Sequence, residues 1–121
     1  RNQRELRELV RYRHSLTEER AREFNRIQKV LEGANIKLSS VMSDINGMSS
    51  RAILDALIKG EEDPTVLADL SVGKLRCKKQ ELARALKGLI SEHQRKMLSI
   101  QLRHIDFIEE ELKCLNEEIV F

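Results

Sequence analysis

The feature that most constrains this chain is a stripe of mainly apolar residues that recurs at alternating spacings of three and four from Leu6 to Ile45 and is apolar throughout from Phe24 onward. One position of the repeat carries Val10, Thr17, Phe24, Leu31, Leu38 and Ile45, and the other carries Leu6, Arg13, Arg20, Ile27, Ala34 and Val41. This spacing is typical of a coiled-coil seam and predicts one uninterrupted helix of roughly 65 Å. Gly33 lies off the stripe and need not end the helix, whereas Asn46-Gly47 is a suitable stop. A rod this long needs a partner for its seam, from the rest of the chain or from a second copy.

A second amphipathic helix is predicted at the other end of the chain. It opens at a capping box, with Ser91 at the cap and Gln94 three residues later. Its seam positions are Leu98, Gln101, Ile105, Ile108, Leu112, Leu115 and Ile119. The first helix begins with a run of arginines and the last ends with a run of acids, so complementary charge favours antiparallel pairing of the two.

Short helices are predicted between the two long ones. Ser49 or Ser50 can cap the first, Gly60 ends it, and Asp63-Pro64 is a cap followed by proline at the first position of the next. A third helix is expected to place Leu75, Leu82, Leu86 and Leu89 on one face. With 35% charged and 3% aromatic residues and a single Pro, an all-β fold is disfavoured. The predicted fold is all-α, a long helical hairpin or coiled coil, in one domain over residues 1–121, with a stem at 1–46 and 92–121 and a helical tip at 47–91.

Two groups of basic residues are candidates for contact with nucleic acid. Residues 71–105 carry nine Lys and Arg against two acids, and the group there is Lys74, Arg76, Lys78, Lys79, Arg84 and Lys87. On the first helix, Arg13 and Arg20 have two interpretations: they pair with acids of the last helix, or they form a strip with Arg22, Arg26 and Lys37 against a phosphate backbone. Stacking aromatics are almost lacking, so any binding would act through backbone and shape, as for duplex RNA or DNA.

No catalytic or metal-binding pattern is present. His14, His93 and His104 are scattered and pair with neither cysteines nor acids at ligand spacing, so we expect no metal and no cofactor. Cys77 and Cys114 form no disulfide framework and are expected to be reduced. With no export leader and no apolar membrane span, we expect a cytoplasmic protein without a membrane or small-molecule partner.

Several runs together resemble the centre of the insertion-sequence 110 family of transposases, relatives of the Piv invertases. The runs are RHSLTEER at 13–20, NRIQKVLE at 25–32, ANIKL at 34–38, SRAIL at 50–54, ALIKG at 56–60, Asp63-Pro64, LADL at 67–70, GKLR at 73–76, Lys78, His93, and residues 105–107. The resemblance covers nearly the whole chain. One departure is Ser50, where that family usually carries Gly, and it affects only the local helix cap.

The resemblance implies that the chain is the coiled-coil part of a longer transposase, consistent with a sequence that opens in mid-stream at Arg1. Such transposases have an N-terminal RuvC-like domain with a DEDD metal site and a C-terminal domain with a nucleophilic Ser. They act on DNA as dimers and tetramers, guided by a structured RNA. This part would be non-catalytic, would hold subunits together and would offer basic surface to RNA or DNA. Two alternatives stay open: a purely structural spacer, and a helical adaptor for an unrelated protein.

The resemblance also implies that the seam residues serve assembly. These oligomer-seam candidates are Phe24, Ile27, Leu31, Leu38, Val41, Ile45, Ile105, Ile108, Leu112, Leu115 and Ile119. Periodicity alone leaves open whether the seam is filled within one chain or between two.

Overall fold

A computed structural model of the chain describes residues 2–36, 48–70 and 79–120, which form five helices and no strand. The helices are α1 (Gln3–Gly33), α2 (Met48–Ile58), α3 (Pro64–Ala68), α4 (Lys79–Ala85) and α5 (Glu92–Val120). The two long helices, α1 and α5, pack against each other, and the short helices gather at one end of this pair. The predicted all-α hairpin with a helical tip is therefore confirmed.

The contacts between α1 and α5 show that the two helices are antiparallel. The Arg13 guanidinium donates to the Asn116 side-chain oxygen at 3.1 Å, and the Glu23 carboxylate lies 3.0 Å from His104 Nδ1. Residues early in α1 thus meet residues late in α5. Of the oligomer-seam candidates, Ile27, Leu31, Ile105, Ile108 and Leu112 are buried inside this one chain. Their burial needs no second copy, because the opposite helix of the hairpin already covers them.

The first helix is shorter than the sequence predicts, because it ends at Gly33 and does not continue to Asn46. Asn35 takes a left-handed conformation (φ 62°), which few residues other than Gly, Asn and Asp adopt. Its N–H donates to the Glu32 carbonyl at 2.9 Å, and the Ile36 N–H reaches back to the Leu31 carbonyl at 2.8 Å. This pair of bonds is a Schellman motif, and Ile36 and Leu31, which it joins, both belong to the buried core cluster. Asn35 is the stop that the heptad pattern concealed.

The remaining part of the predicted long helix lies outside the described residues. Leu38, Val41, Ile45 and the proposed stop at Asn46-Gly47 all fall there.

The phase of the α1 seam also differs from the predicted one in the first half of the helix. Leu16 and Glu23 are buried there, whereas Val10 and Thr17 are exposed. The line that faces α5 therefore passes through half-buried Leu9 and buried Leu16 and Glu23, one residue before the predicted positions Val10, Thr17 and Phe24. Arg13, Arg20 and Ile27 keep their predicted positions on that line, the two arginines half-buried and Ile27 fully buried.

The tip confirms two predicted helix boundaries. Gly60 has φ 106° and ends α2 with a second Schellman pair, from Gly60 N–H to the Leu57 carbonyl and from Glu61 N–H to the Ala56 carbonyl. Asp63 caps α3 by accepting the Thr65 N–H at 3.0 Å, with Pro64 at the first helical position. The proposed caps Ser49 and Ser50 fall within α2, in a stretch whose side chains lie outside the described residues.

The segment after α4 fastens the tip to the end of α1. Leu86 and Ile90 are buried, and the Leu89 N–H donates to the Ala34 carbonyl at 3.1 Å. Gly88 packs so tightly there that a Cβ atom would overlap the Ala34 carbonyl oxygen and lie 2.6 Å from the Ile36 side chain. The prediction that Leu89 joins the apolar face was wrong, because α4 ends at Ala85 and the Leu89 side chain is 76% exposed. Leu75 and the Leu82 side chain lie outside the described residues.

The last helix follows its prediction closely. Ser91 Oγ accepts the Gln94 N–H at 3.1 Å while Gln94 Oε1 accepts the Ser91 N–H at 2.9 Å, which is the predicted capping box. The predicted seam is buried from Leu98 to Leu112, and Leu115 and Ile119 are half-buried. Within residues 2–36, 48–70 and 79–120, no helix combines the length and the apolar character needed to cross a bilayer.

Candidate nucleic-acid interface

The two seam arginines of α1 are engaged with the opposite helix. Arg20 lies 3.7 Å from the Glu109 carboxylate, with its guanidinium 5.8 Å from the centre of the Phe24 ring. Arg13 donates to the amide oxygen of Asn116. Of the two interpretations, the structure therefore places Arg20 in a pair with an acid of the last helix. Arg13 also has a partner on the last helix, but this partner is the neutral amide of Asn116. Both arginines face inward, toward α5.

Arg22 and Arg26 lie on a different side of α1 from Arg13 and Arg20. At 100° per residue, Arg22 is turned roughly 160–180° away from the seam arginines and Arg26 roughly 120–140°. Their partners are on α1 itself: Arg22 is 3.9 Å from Glu18, and Arg26 donates to Glu23 at 2.7 Å. The four arginines therefore do not form one strip, and that part of the prediction is wrong.

The outward face of α1 instead carries a row of cations that the sequence interpretation did not collect. Its members are exposed and share the side opposite α5: Arg4, Arg7, Arg11, Arg22 and Lys29. The row spans roughly 38 Å, with Glu18 and Glu32 as acids on the same face. Once the inward line through Leu16 and Ile27 is known, seven-residue spacings such as Arg4–Arg11 and Arg22–Lys29 identify this face. We call these five residues the α1 basic row.

The ion pairs along this row are loose. Arg4 is 3.8 Å from Glu8 and Arg22 is 3.9 Å from Glu18, all four side chains being largely in water. Exposed pairs of this kind contribute about 0–1 kcal/mol, so a phosphate can displace the carboxylate at little cost. The described residues offer Arg7, Arg11 and Lys29 no ion pair. The row is thus available to an anionic partner.

The basic group of the tip is only partly described. Arg84 in the last turn of α4 and Lys87 just after it are exposed, and the described residues give neither an ion pair. Lys37, Lys74, Arg76 and Lys78, and the side chain of Lys79, lie outside the described residues. Arg84 and Lys87 place two cations beside the Gly88 segment, at the end of the hairpin where α1 stops.

Other charged groups hold the hairpin and its tip together. His104 of α5 lies between Glu23 at 3.0 Å and Glu19 at 3.5 Å of α1. Arg51 of α2 donates to Asp106 of α5 at 2.7 Å, and this hydrogen bond raises the pKa of the guanidinium above its ordinary value. Glu23 is buried, at 5% exposure, which the heptad pattern could not predict because it placed Glu23 off the seam.

A third link joins the tip to the start of α5. Arg95 donates to Glu62 at 2.8 Å and to the Leu57 carbonyl at 3.3 Å, and so fastens the end of α2 and the following turn. Asp106 and Glu62 are therefore used for contacts inside the molecule.

Within the described residues, no group of three or more His, Cys, Asp and Glu side chains is arranged to hold a metal ion. The two ring nitrogens of His104 face different carboxylates, those of Glu19 and Glu23. These three side chains therefore do not point at one position where a metal ion could bind. Cys114 is exposed on α5, and His14 Nε2 lies 2.6 Å from the Glu18 carboxylate on the surface of α1.

Comparison with protein-family models, with curated proteins and with solved structures finds no match for this chain.

Proposed function

We propose that this chain is the central helical-hairpin module of a DNA transposase, one that contacts guide RNA or DNA and takes part in subunit assembly. The proposal rests on the sequence resemblance to the insertion-sequence 110 family and on one structural observation. Because α1 and α5 fill their common seam within one chain, the α1 basic row is turned to solvent along most of the helix. A long row of cations suits a regular phosphate backbone.

In this proposal the module is not catalytic and needs no cofactor of its own. It works in the cytoplasm as part of a longer, oligomeric protein. The DEDD and Ser residues of such transposases have no counterpart in the runs that carry the resemblance. The module spaces the catalytic domains and carries phosphate-contacting arginines. Tyr12 is exposed on α1, and the described part of the chain places no second aromatic ring beside it to form a stacking platform, so recognition is by shape and charge, without base stacking.

The test is the salt dependence of binding to a short RNA duplex and to a DNA duplex of the same sequence. Each phosphate contact contributes about 0.7–0.9 to the slope of log affinity against log salt. Replacing Arg11 and Lys29 with Gln should lower the affinity and reduce that slope by roughly 1.5. The matched control replaces Lys59 and Lys113 with Gln, which makes the same change in net charge on exposed positions outside the row. Equal losses in both variants would mean a diffuse charge effect and would contradict the assigned surface.

A second candidate function, a structural spacer without nucleic-acid contact, is favoured by one observation. All four predicted arginines of α1, Arg13, Arg20, Arg22 and Arg26, have partners within the chain. In that case neither duplex binds measurably at low salt, and the Arg11/Lys29 variant behaves as the parent protein does.

A further inference from the structure

The outer face of α5 carries an exposed apolar ridge, which lies outside both buried clusters formed by the described residues. Ile100 is 53% exposed, Phe107 is 63% exposed, and Cys114 is also exposed. The three follow one another at intervals of seven residues, so they lie in line over roughly 21 Å of helix. The seam residues Ile105 and Leu112 point to the other side of α5.

Among the described residues, the ridge belongs to neither cluster of buried side chains that holds the hairpin together. Isolated exposed apolar side chains are ordinary, but three in phase on one helix resemble one side of a helix–helix contact. The side chain of Phe107 is large. Burying it against a partner would contribute a favourable free energy of about 25 cal/mol for each Å² of apolar surface removed from water.

The charges beside the ridge are arranged with opposite sign on either side of Phe107. Lys96 and Arg103 come before it, and Glu110 and Glu111 come after it. Arg103 makes a long 3.4 Å hydrogen bond to the Ser99 carbonyl, and the described residues give Arg103, Glu110 and Glu111 no ion pair. The face is therefore half basic and half acidic, with its apolar centre at Phe107.

Such a face is complementary to itself when two copies meet antiparallel. If the two Phe107 side chains lie at a twofold axis, Arg103 of one copy falls opposite Glu111 of the other and next to its Glu110. Ile100 then lies opposite Cys114. A parallel arrangement would set Arg103 against Arg103 and Glu111 against Glu111, which is unfavourable. Closed twofold interfaces of this kind are the commonest in homo-oligomers.

We propose that the outer face of α5 is the docking surface for a second copy of this chain, packed antiparallel with its twofold axis at Phe107. This inference rests on the assembly part of the proposed function and gives it a location. It is needed because Ile27, Leu31, Ile105 and Ile108, the most buried of the described oligomer-seam candidates, are already covered within one chain.

Cysteine crosslinking tests the geometry. In a Cys77→Ser background, Ile100→Cys together with the native Cys114 should give a covalent dimer with a bismaleimide of about 10 Å reach, close to the usual distance between packed helices. Native Cys114 alone, and Ile100→Cys with Cys114→Ser, should not crosslink, because equal residues at these positions lie roughly 21 Å apart along the pair. Crosslinking of the single-cysteine proteins to the same extent would overturn the antiparallel register.

Sedimentation equilibrium tests the surface itself. Phe107→Ala should weaken self-association by at least about tenfold, as expected for a central aromatic contact. The control is Val66→Ala, an exposed apolar position on α3 that should change nothing. Arg103→Glu should weaken association, and adding Glu110→Arg and Glu111→Arg to it should restore association.

The outcomes separate this inference from the proposed function. A dimer that survives Phe107→Ala overturns the α5 surface but leaves assembly through another face. A parent chain that is monomeric at tens of micromolar overturns both the surface and the assembly role of this module. Salt-dependent duplex binding that is unchanged in the Phe107→Ala monomer supports two separate surfaces.

Discussion

The two ends of the hairpin are built differently. The tip end consists of residues 23–36, residues 92–105 of α5 and the short helices. Among the described residues, it contains one cluster of fourteen buried apolar residues. The terminal end, with residues 3–22 and 106–120, has a buried cluster of Leu16, Ile108 and Leu112 against which Leu115 packs. Leu6 and Val10 are partly exposed there.

The difference follows from what covers each end. At the tip end, α5 packs against both α1 and α2, and the segment that follows α4 covers the end of α1, so side chains of all the helices share one buried cluster. At the terminal end only two helices meet, and a two-helix contact leaves much of each apolar stripe in water. Arg13 and Arg20 also interrupt the stripe there. We therefore expect stability to be concentrated at the tip end, with earlier local opening at the terminal end.

The largest effect is expected at Gly88. A methyl group at this position would overlap the Ala34 carbonyl and lie 2.8 Å from the Asn35 carbonyl carbon, and backbone atoms cannot move aside as a side chain can. Gly88→Ala should release the segment and expose Leu86 and Ile90, at a cost of about 4 kcal/mol. Urea unfolding followed by circular dichroism measures this.

Gly33→Ala is the matched control for that experiment. Its added methyl group would make an ordinary 3.5 Å contact with Gln94. Because Ala favours helix over Gly, this change should stabilise the protein by about 0.5–1 kcal/mol. Similar stability in the two variants would contradict the tight docking of the Gly88 segment.

Shortening one side chain at each end tests directly whether the two ends differ in how much their packing contributes to stability. Ile105→Ala empties a fully buried position in the tip-end cluster and should cost about 3 kcal/mol. Leu115→Ala, at a half-buried position of the terminal end, should cost about 1 kcal/mol because water and neighbouring side chains can relax into the space. Chemical denaturation gives both values, and amide hydrogen exchange should show residues 5–15 exchanging faster than residues 24–33. Equal costs would mean that the two ends are equally well packed.

The sequence predicted the elements whose signals are local. The capping box at Ser91, the Gly60 stop and the Asp63-Pro64 start each depend on a few adjacent residues, and each is present. The seam of α5 was predicted because it has a single apolar stripe. The end of α1 was missed because Ala34, Leu38, Val41 and Ile45 continue the heptad in sequence, while the stop is made by Asn35, a residue with several other common roles.

The candidate interface was harder to predict than the fold. The direction in which an arginine points depends on the phase of α1, and near Thr17 that phase is set by the partner helix. A shift of one residue turns a side chain by about 100°. The sequence therefore showed which residues are cations but not where they point, and the prediction grouped Arg13, which faces α5, with Arg22, which faces solvent. It also gave no indication that Glu23 is buried beside His104.

The stop at Asn35 provides a smaller test. A left-handed conformation costs most residues about 1–2 kcal/mol but costs Gly nothing. Asn35→Ala should therefore destabilise the chain by about 1 kcal/mol, whereas Asn35→Gly should leave it equally or slightly more stable. Thermal unfolding compares the three proteins. A neutral Asn35→Ala variant would mean that α1 can continue past Gly33, as the heptad pattern predicted.

The smallest expected effect addresses why the terminal end is weaker. Arg13 lies on the inward line of α1 and makes one hydrogen bond to Asn116, so its charge is held against a stripe that could be apolar. Arg13→Leu should extend the apolar contact between Leu16 and Leu115 and stabilise the hairpin by about 0.5 kcal/mol, since replacing a polar seam contact with a packed apolar one is often favourable. The control is Arg11→Leu, the same change two residues earlier on the outward face, which should give no gain. If Arg13→Leu destabilises the protein instead, the hydrogen bond to Asn116 contributes more than the apolar packing that would replace it. The lower stability of the terminal end would then be due to the small number of helices that meet there and not to its polar seam.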